Sequence, residues 1–384
     1  MGVILAGGLS SHAFAGTISY TCGSGISAST CASTVNGTIA GLYGATFSNA
    51  SADIYIYMGT AGLGASLQYY DNTSYHNYAT HLAAHEEDTN DITAVNSLGG
   101  NSTDPVVPGD GVALTSALAA ALGISGGVGI FDDGSGACDP FAYGCTAEGS
   151  SCILSTANCY NGIISISSSL PLYYRDGTQT DSQFDFYSVV EHETDEILGT
   201  SSCIVGSGSD ASTIAYSDNC KNGYPSLAVS AADLFRYSAP GVRSFIGTAG
   251  NQADGSAAYF SIDGGATSIA AYNNSPNGAD YGDWGSGANL VQNAYDYPGN
   301  PGVDITTDGG AEIAVLDAVG YNLNAVSYNA TATPEPATIL LFASALAMLT
   351  LPGRFAIPHN RTCAKPSSPT EAAPRPYSTP ASRA

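Results

Sequence analysis

His192, Glu193 and Glu196 have the types and spacing of residues that activate water on a metal ion. They lie in Val189-Val190-Glu191-His192-Glu193-Thr194-Asp195-Glu196-Ile197-Leu198-Gly199, an apolar-entered run with a glycine stop that predicts a helix. Residues four apart on a helix emerge from one face, so His192 and Glu196 can clamp one ion. Glu193 points to the side of that face, where its carboxylate reaches a water on the ion as general base. The pattern is the HExxH arrangement of zinc proteases with glutamate in place of the second histidine, an exchange that zinc accepts.

The competing reading is a solvated acidic helix face with one exposed histidine. Charged residues make up only 11% of the chain, yet four acids and a histidine fall between Glu191 and Glu196. Neighbouring anions repel unless a cation neutralises them. The flanking Phe184, Phe186, Tyr187, Val189, Val190, Ile197 and Leu198 predict a packed segment, in which unpaired carboxylates are costly. A second pair at helical spacing, His81 and His85, precedes Glu86-Glu87-Asp88-Thr89-Asn90-Asp91 and reads as an exposed polar helix end.

Catalytic zinc keeps three protein ligands and one open position. The next histidine after His192 is His359, beyond an apolar segment, so the third ligand is expected to be a carboxylate. Asp233, in the apolar run Ser230 to Ser238, is the candidate; pairing with Arg236, three residues on, is the alternative. Tyr237 is a candidate hydrogen-bond donor to the oxyanion of a tetrahedral intermediate. Calcium is a further expectation, at Asp132, Asp133 and Asp139 in a Gly/Cys-rich stretch, without the full spacing of an EF-hand. Two other readings stay open: a non-catalytic extracellular surface or matrix protein whose carboxylate cluster binds calcium or nothing, and a sugar hydrolase using paired carboxylates such as Glu193 and Glu196.

The elements that must position these groups alternate between strand and helix. Thr17 to Tyr20 and Ala52 to Met58 read as strands, Gly109 to Gly123 as a strand-to-helix segment ended by glycine, and Ala32 to Leu42 and Tyr75 to Leu98 as helices. Ile163 to Ser167 and Leu170 to Tyr174 read as paired strands leading into the motif helix, their edge suited to an extended peptide. Tyr259 to Asp263 and Ser268 to Tyr272 form an expected hairpin about Gly264-Gly265. Asp280 to Trp284 is an expected loop, lining the substrate cleft, calcium-stabilised or simply solvated. Ala311 to Val319 is an expected closing helix burying Ile313, Leu316 and Val319.

The 384 residues, 44% hydrophobic, suffice for a sizeable core in one domain or two lobes across a cleft. A formal net charge of −24 argues against nucleic acid and anionic membrane surfaces as partners. Between Gly16 and Thr333 the only basic side chains are Arg175, Lys221, Arg236 and Arg243. Residues 1–15 read as a signal peptide, with apolar Val3 to Leu9 and the cleavage pattern Ala13-Phe14-Ala15. The pairs Cys22/Cys31, Cys138/Cys145, Cys152/Cys159 and Cys203/Cys220 suit local disulfides made in an oxidising compartment.

The run Asp185 to Gly199 and the block Ala232-Asp233-Leu234-Phe235-Arg236-Tyr237-Ser238-Ala239-Pro240-Gly241 resemble a family of secreted bacterial metalloproteases that carry PEP-CTERM sorting signals. Gly309 to Tyr321 resembles its closing helix, and the likeness spans about Gly16 to Leu323. It implies an α+β, zincin-like fold, a mixed sheet with an active-site helix and a protein or peptide substrate. His192 and Glu196 would be the ligands and Glu193 the base. Thr331-Ala332-Thr333-Pro334-Glu335-Pro336, then apolar Ala337 to Leu351 and Arg354, resembles the sorting signal itself. That implies transient membrane anchoring and a sorting protease acting at the PEP motif. The expected organisation is therefore a signal peptide (1–15), a metalloprotease domain (16–330), a sorting signal with a short membrane segment (331–354) and a disordered Pro/Ser/Ala-rich tail (355–384), the product being secreted or held at the cell surface.

Overall fold

In the computed structural model, residues 16–324 are described except for 61, 100–104, 106–110, 125–126, 136–140, 142–148, 205–219, 221–227, 246–256, 275–279 and 286–288. All of them belong to one compact unit, Met1–Asn329. The expected leader (1–15), sorting signal and tail, together with Cys138, Asp139 and Cys145, lie outside the described residues.

The fold is α+β with several small sheets. The main sheet runs Ile18–Cys22, Ala52–Gly59, Gly162–Ser167, Gly64–Gln68; its first three strands are parallel and the last is antiparallel. Gly162–Ser167 is buried throughout, as an inner strand covered on both faces must be. Its Ile164 and Ile166 meet Ile54 and Ile56 and, from the motif helix, Phe186 and Val190 in one core, while Ile163 packs with Tyr55, Ile130 and Tyr160. Gly162 lets Ile197 approach: a Cβ there would meet Ile197 Cγ1 at 2.4 Å.

Two expectations are corrected. Gly162–Ser167 does not pair with the next strand; Leu172–Tyr173 pairs in parallel with Phe184–Asp185 instead. The sheet edge next to the motif helix is therefore Gly64–Gln68, a strand of half-buried residues. The single helix expected over Tyr75 to Leu98 is broken into Tyr75–Ala84 and Thr89–Ser97. Asp88 starts the second with a capping box, its Oδ1 accepting from the backbone N–H of Asn90 and Asp91.

The expected membrane span is also corrected. Among the described residues no helix is long and apolar enough to cross a membrane. The segment 337–351 on which that expectation rested lies outside them.

A second sheet joins Ala228–Ser230, Gly111–Thr115 and Tyr70–Ser74, and a third contains the hairpin of Tyr259–Phe260 and Ala270–Ala271. The closing helix is Ala311–Val319, with Ile313, Leu316 and Val319 buried. Disulfides join Cys22 to Cys31, Cys152 to Cys159 and Cys203 to Cys220, each closing a short loop.

Candidate metal centre

The motif helix spans Phe186–Asp195 and widens into a π turn over Glu196–Thr200. Asp185 caps its start: Oδ1 accepts from the Ser188 backbone N–H at 2.9 Å. Arg175 locks that cap, with Nε and Nη2 on the Asp185 carboxylate at 3.0 and 2.9 Å and Nη1 on Asp304 at 2.6 Å. Gly199 ends the helix at φ 132°, a conformation open to glycine.

The acids of the motif divide between two faces. Glu191 and Asp195 point inward and are fully buried. Glu191 Oε2 accepts from the Ile305 N–H at 2.9 Å, and Asp195 Oδ1 from the Tyr43 hydroxyl at 2.7 Å. His192, Glu193 and Glu196 face a cleft of about 510 Å³. Not all four acids therefore need one shared cation; three of the motif's side chains converge on the cleft and two brace the fold.

The loop after the hairpin supplies the missing partner. Ligand atoms of His192, Glu196 and Asp283 lie within 4.8 Å of one another. His192 Nε2 is 3.9 Å from Glu196 Oε1 and 3.7 Å from Asp283 Oδ1. Donors bound to tetrahedral zinc at about 2.0–2.1 Å stand about 3.3 Å apart, so an ion would draw each of these two carboxylate oxygens about half an ångström closer to Nε2.

The orientation of the imidazole is the most telling feature. His192 Nδ1 lies 3.0 Å from the Val291 carbonyl oxygen, which can only accept, so Nδ1 carries the proton. In the neutral ring Nε2 then turns a lone pair toward two carboxylates. The Gln292 amide nitrogen donates to both Nε2, at 3.2 Å, and Asp283 Oδ1, at 3.1 Å. Such acceptors converge usefully only on something electropositive. The Nδ1 to carbonyl bond is also the outer support that metal-ligating histidines use.

Charge in the cleft is one-sided. Its lining includes Asp185, Glu193, Glu196, Asp280, Asp283 and Asp296, and no Lys or Arg. Burial, then Glu196 and Asp283, hold Glu193 well above the ordinary glutamate value. Burial, then Asp280 and Glu196, do the same to Asp283, and burial with Glu196 pushes Asp280 up to about 7. Ser66 on the edge strand donates to Glu196. Gly64 on that strand is where Glu193 packs; a Cβ there would meet Glu193 Oε1 at 2.3 Å.

Two expected site residues lie elsewhere. Asp233 is not a member of the cluster: its carboxylate accepts from the Ser202 hydroxyl at 2.6 Å and from the N–H groups of Cys203 and Ser230 at 3.0 and 2.9 Å. It is a fully used loop clamp. It forms no ion pair with Arg236, whose Nη1 donates to the Tyr281 carbonyl oxygen at 2.6 Å. Tyr237 is buried, packs under Gly265 and against Arg243, and does not line the cleft, which removes it as an oxyanion donor. Of the calcium candidates, Asp132 and Asp133 accept from the N–H groups of Gly134 and Ser135 in local turns. His81 Nδ1 bonds the Leu122 carbonyl oxygen, outside any metal-binding group among the described residues.

No family model matches the chain, and neither a curated protein nor a solved structure does.

Proposed function

We propose that the chain is a secreted zinc-dependent metallopeptidase of zincin-like fold, with His192, Glu196 and Asp283 as ligands and Glu193 as general base. The observation that carries this reading is the His192 ring, pinned at Nδ1 so that Nε2 faces two carboxylates in an open cleft. The donor set fits the ion: one imidazole and two carboxylates, His192 and Glu196 half-buried and Asp283 buried, with no Lys or Arg along the cleft. Zinc bound there supplies a Lewis acid that acidifies water and polarises a carbonyl.

The rest of the chemistry belongs to the protein's own side chains. With the neighbouring charge of Glu196 and Asp283 offset, Glu193 is a carboxylate that takes a proton from water and delivers it to the leaving amine. Ser66 and Gln292 hold Glu196 and Asp283 in place. Gly64–Gln68 ends its sheet along one wall of the cleft, so an extended peptide can add to it by main-chain hydrogen bonds. The three disulfides favour an oxidising, extracellular setting.

Glu193→Gln keeps the shape and removes the base. Peptide hydrolysis is expected to fall by about 10³-fold or more with stoichiometric zinc retained; wild-type turnover in this variant removes Glu193 from the role assigned to it.

A further inference from the structure

Glu312 opens the closing helix, far from the motif in sequence and fully buried. Its Oε1 accepts two hydrogen bonds, from the Trp284 indole Nε1 at 2.7 Å and from the Gln292 backbone N–H at 2.9 Å. Asp308, just before the helix, accepts from the Val291 N–H at 3.2 Å through Oδ2. The two acids thus hold the backbone of consecutive residues, and these residues meet the candidate centre directly. The Val291 carbonyl takes the His192 Nδ1 proton, and the Gln292 amide bridges His192 Nε2 and Asp283 Oδ1.

Trp284, the other partner of Glu312, is the residue after Asp283. Its backbone N–H donates to the Gln292 carbonyl at 2.8 Å, and its carbonyl accepts from the Ala294 N–H at 3.0 Å. One carboxylate oxygen therefore joins the segment carrying the Asp283 ligand to the segment orienting the His192 ligand. Neither bond involves a cation, and burial with Asp308 close by raises the Glu312 pKa well above the ordinary glutamate value. A buried acid so placed is costly unless its acceptor geometry is needed.

We infer that Glu312 is a positioning residue for the metal centre, clamping Trp284 to Gln292 so that Asp283 and His192 converge at the spacing an ion requires. The inference rests on the ligand assignment proposed above. Outer supports of this kind change metal affinity by about 10- to 100-fold when removed.

The test measures zinc affinity by competition with a chromophoric chelator, and the visible spectrum of the cobalt-substituted protein. Glu312→Ala is expected to weaken zinc binding at least about 10-fold and to change the cobalt spectrum. Glu312→Gln, whose amide oxygen can accept both hydrogen bonds, is expected to restore both readouts. Asp317→Asn, on the same helix but outside the clamp, is expected to leave zinc affinity unchanged, which ties the effect to Glu312 rather than to any buried acid of that helix. Should Glu312→Ala fail to fold, Trp284→Phe removes one of the two donors and is expected to weaken binding in its place. Wild-type affinity in the folded variant, or Glu312→Gln binding as weakly as Glu312→Ala, overturns the clamp. Absence of zinc from the wild-type protein overturns the ligand assignment itself, and the clamp with it.

Discussion

Two places in this molecule bring three ligand-type side chains within 4.8 Å: His192, Glu196 and Asp283 in the cleft, and Asp88, Asp91 and Asp317 where the helices Thr89–Ser97 and Ala311–Val319 meet. In the second, the carboxylates already have backbone work. Asp88 Oδ1 accepts from the N–H groups of Asn90 and Asp91, and Asp91 Oδ2 from those of Glu87 and Asp88. A helix N-terminus also favours anions and disfavours a cation. Asp317 resolves its own conflict by protonation, since burial and then Asp91 push its pKa up to about 8. The cleft group differs in having an imidazole of fixed tautomer, no helix start to satisfy and open access for substrate. Proximity of acids is thus common to a cap and a metal centre; an imidazole lone pair turned toward two carboxylates in an open cleft, with the Gln292 amide beside it, distinguishes them.

That contrast breaks most readily at Asp283. Asp283→Ala is expected to lower zinc affinity by more than about 100-fold and to abolish hydrolysis, while Asp317→Asn leaves both intact. Zinc retained by the first variant and lost by the second would reverse the assignment of the two groups.

Gly64→Ala gives the next largest effect. The added methyl would strike Glu193 Oε1 at 2.3 Å and Val189 Cγ1 at 2.8 Å. Hydrolysis is expected to fall by about 10²-fold with zinc still bound, because displacement by about 1 Å is enough to spoil proton transfer. Unchanged kcat/KM would mean that Glu193 does not act from this position.

How much of this was legible in the sequence depends on what each residue touches. The motif helix, its cleft-facing triplet, the local disulfides and the closing helix all announce themselves through neighbours in the chain. The third ligand does not. Asp233 and Asp283 are both acids in mostly apolar or glycine-rich surroundings, and only their partners tell them apart. Asp233 is used up by Ser202, Cys203 and Ser230, whereas Asp283 turns Oδ1 toward the imidazole and the Gln292 amide. The expected order of the strands before the motif failed for a similar reason. Gly162–Ser167 is fully buried and so belongs inside the sheet, leaving the edge to the less apolar Gly64–Gln68, which adjacency in sequence did not reveal.

Chelation sharpens the comparison through pH. The cleft acids Glu193, Asp280 and Asp283 have raised pKa values, so the stability they contribute is present at low pH and lost as pH rises through those values. A bound cation offsets that loss. Removing zinc is therefore expected to lower Tm by several degrees more at pH 8 than at pH 5; an equal drop at both would show that the ion does not neutralise these carboxylates.

The smallest effect belongs to the cap. Asp317 is raised from 3.8 to about 8, so its contribution is complete below about pH 4 and lost as pH climbs toward about 8. Asp317→Asn is expected to flatten the stability profile across that window by about one proton, or about 1.4 kcal/mol per pH unit at most. Urea unfolding at several pH values checks this, and a profile parallel to that of the wild type contradicts it.

Anomalous diffraction at the zinc edge, from crystals grown with one equivalent of the metal, addresses the central claim most directly. The account predicts a single strong peak about 2.0–2.2 Å from His192 Nε2 and from one carboxylate oxygen each of Glu196 and Asp283. A peak among Asp88, Asp91 and Asp317, or none in the cleft, contradicts it.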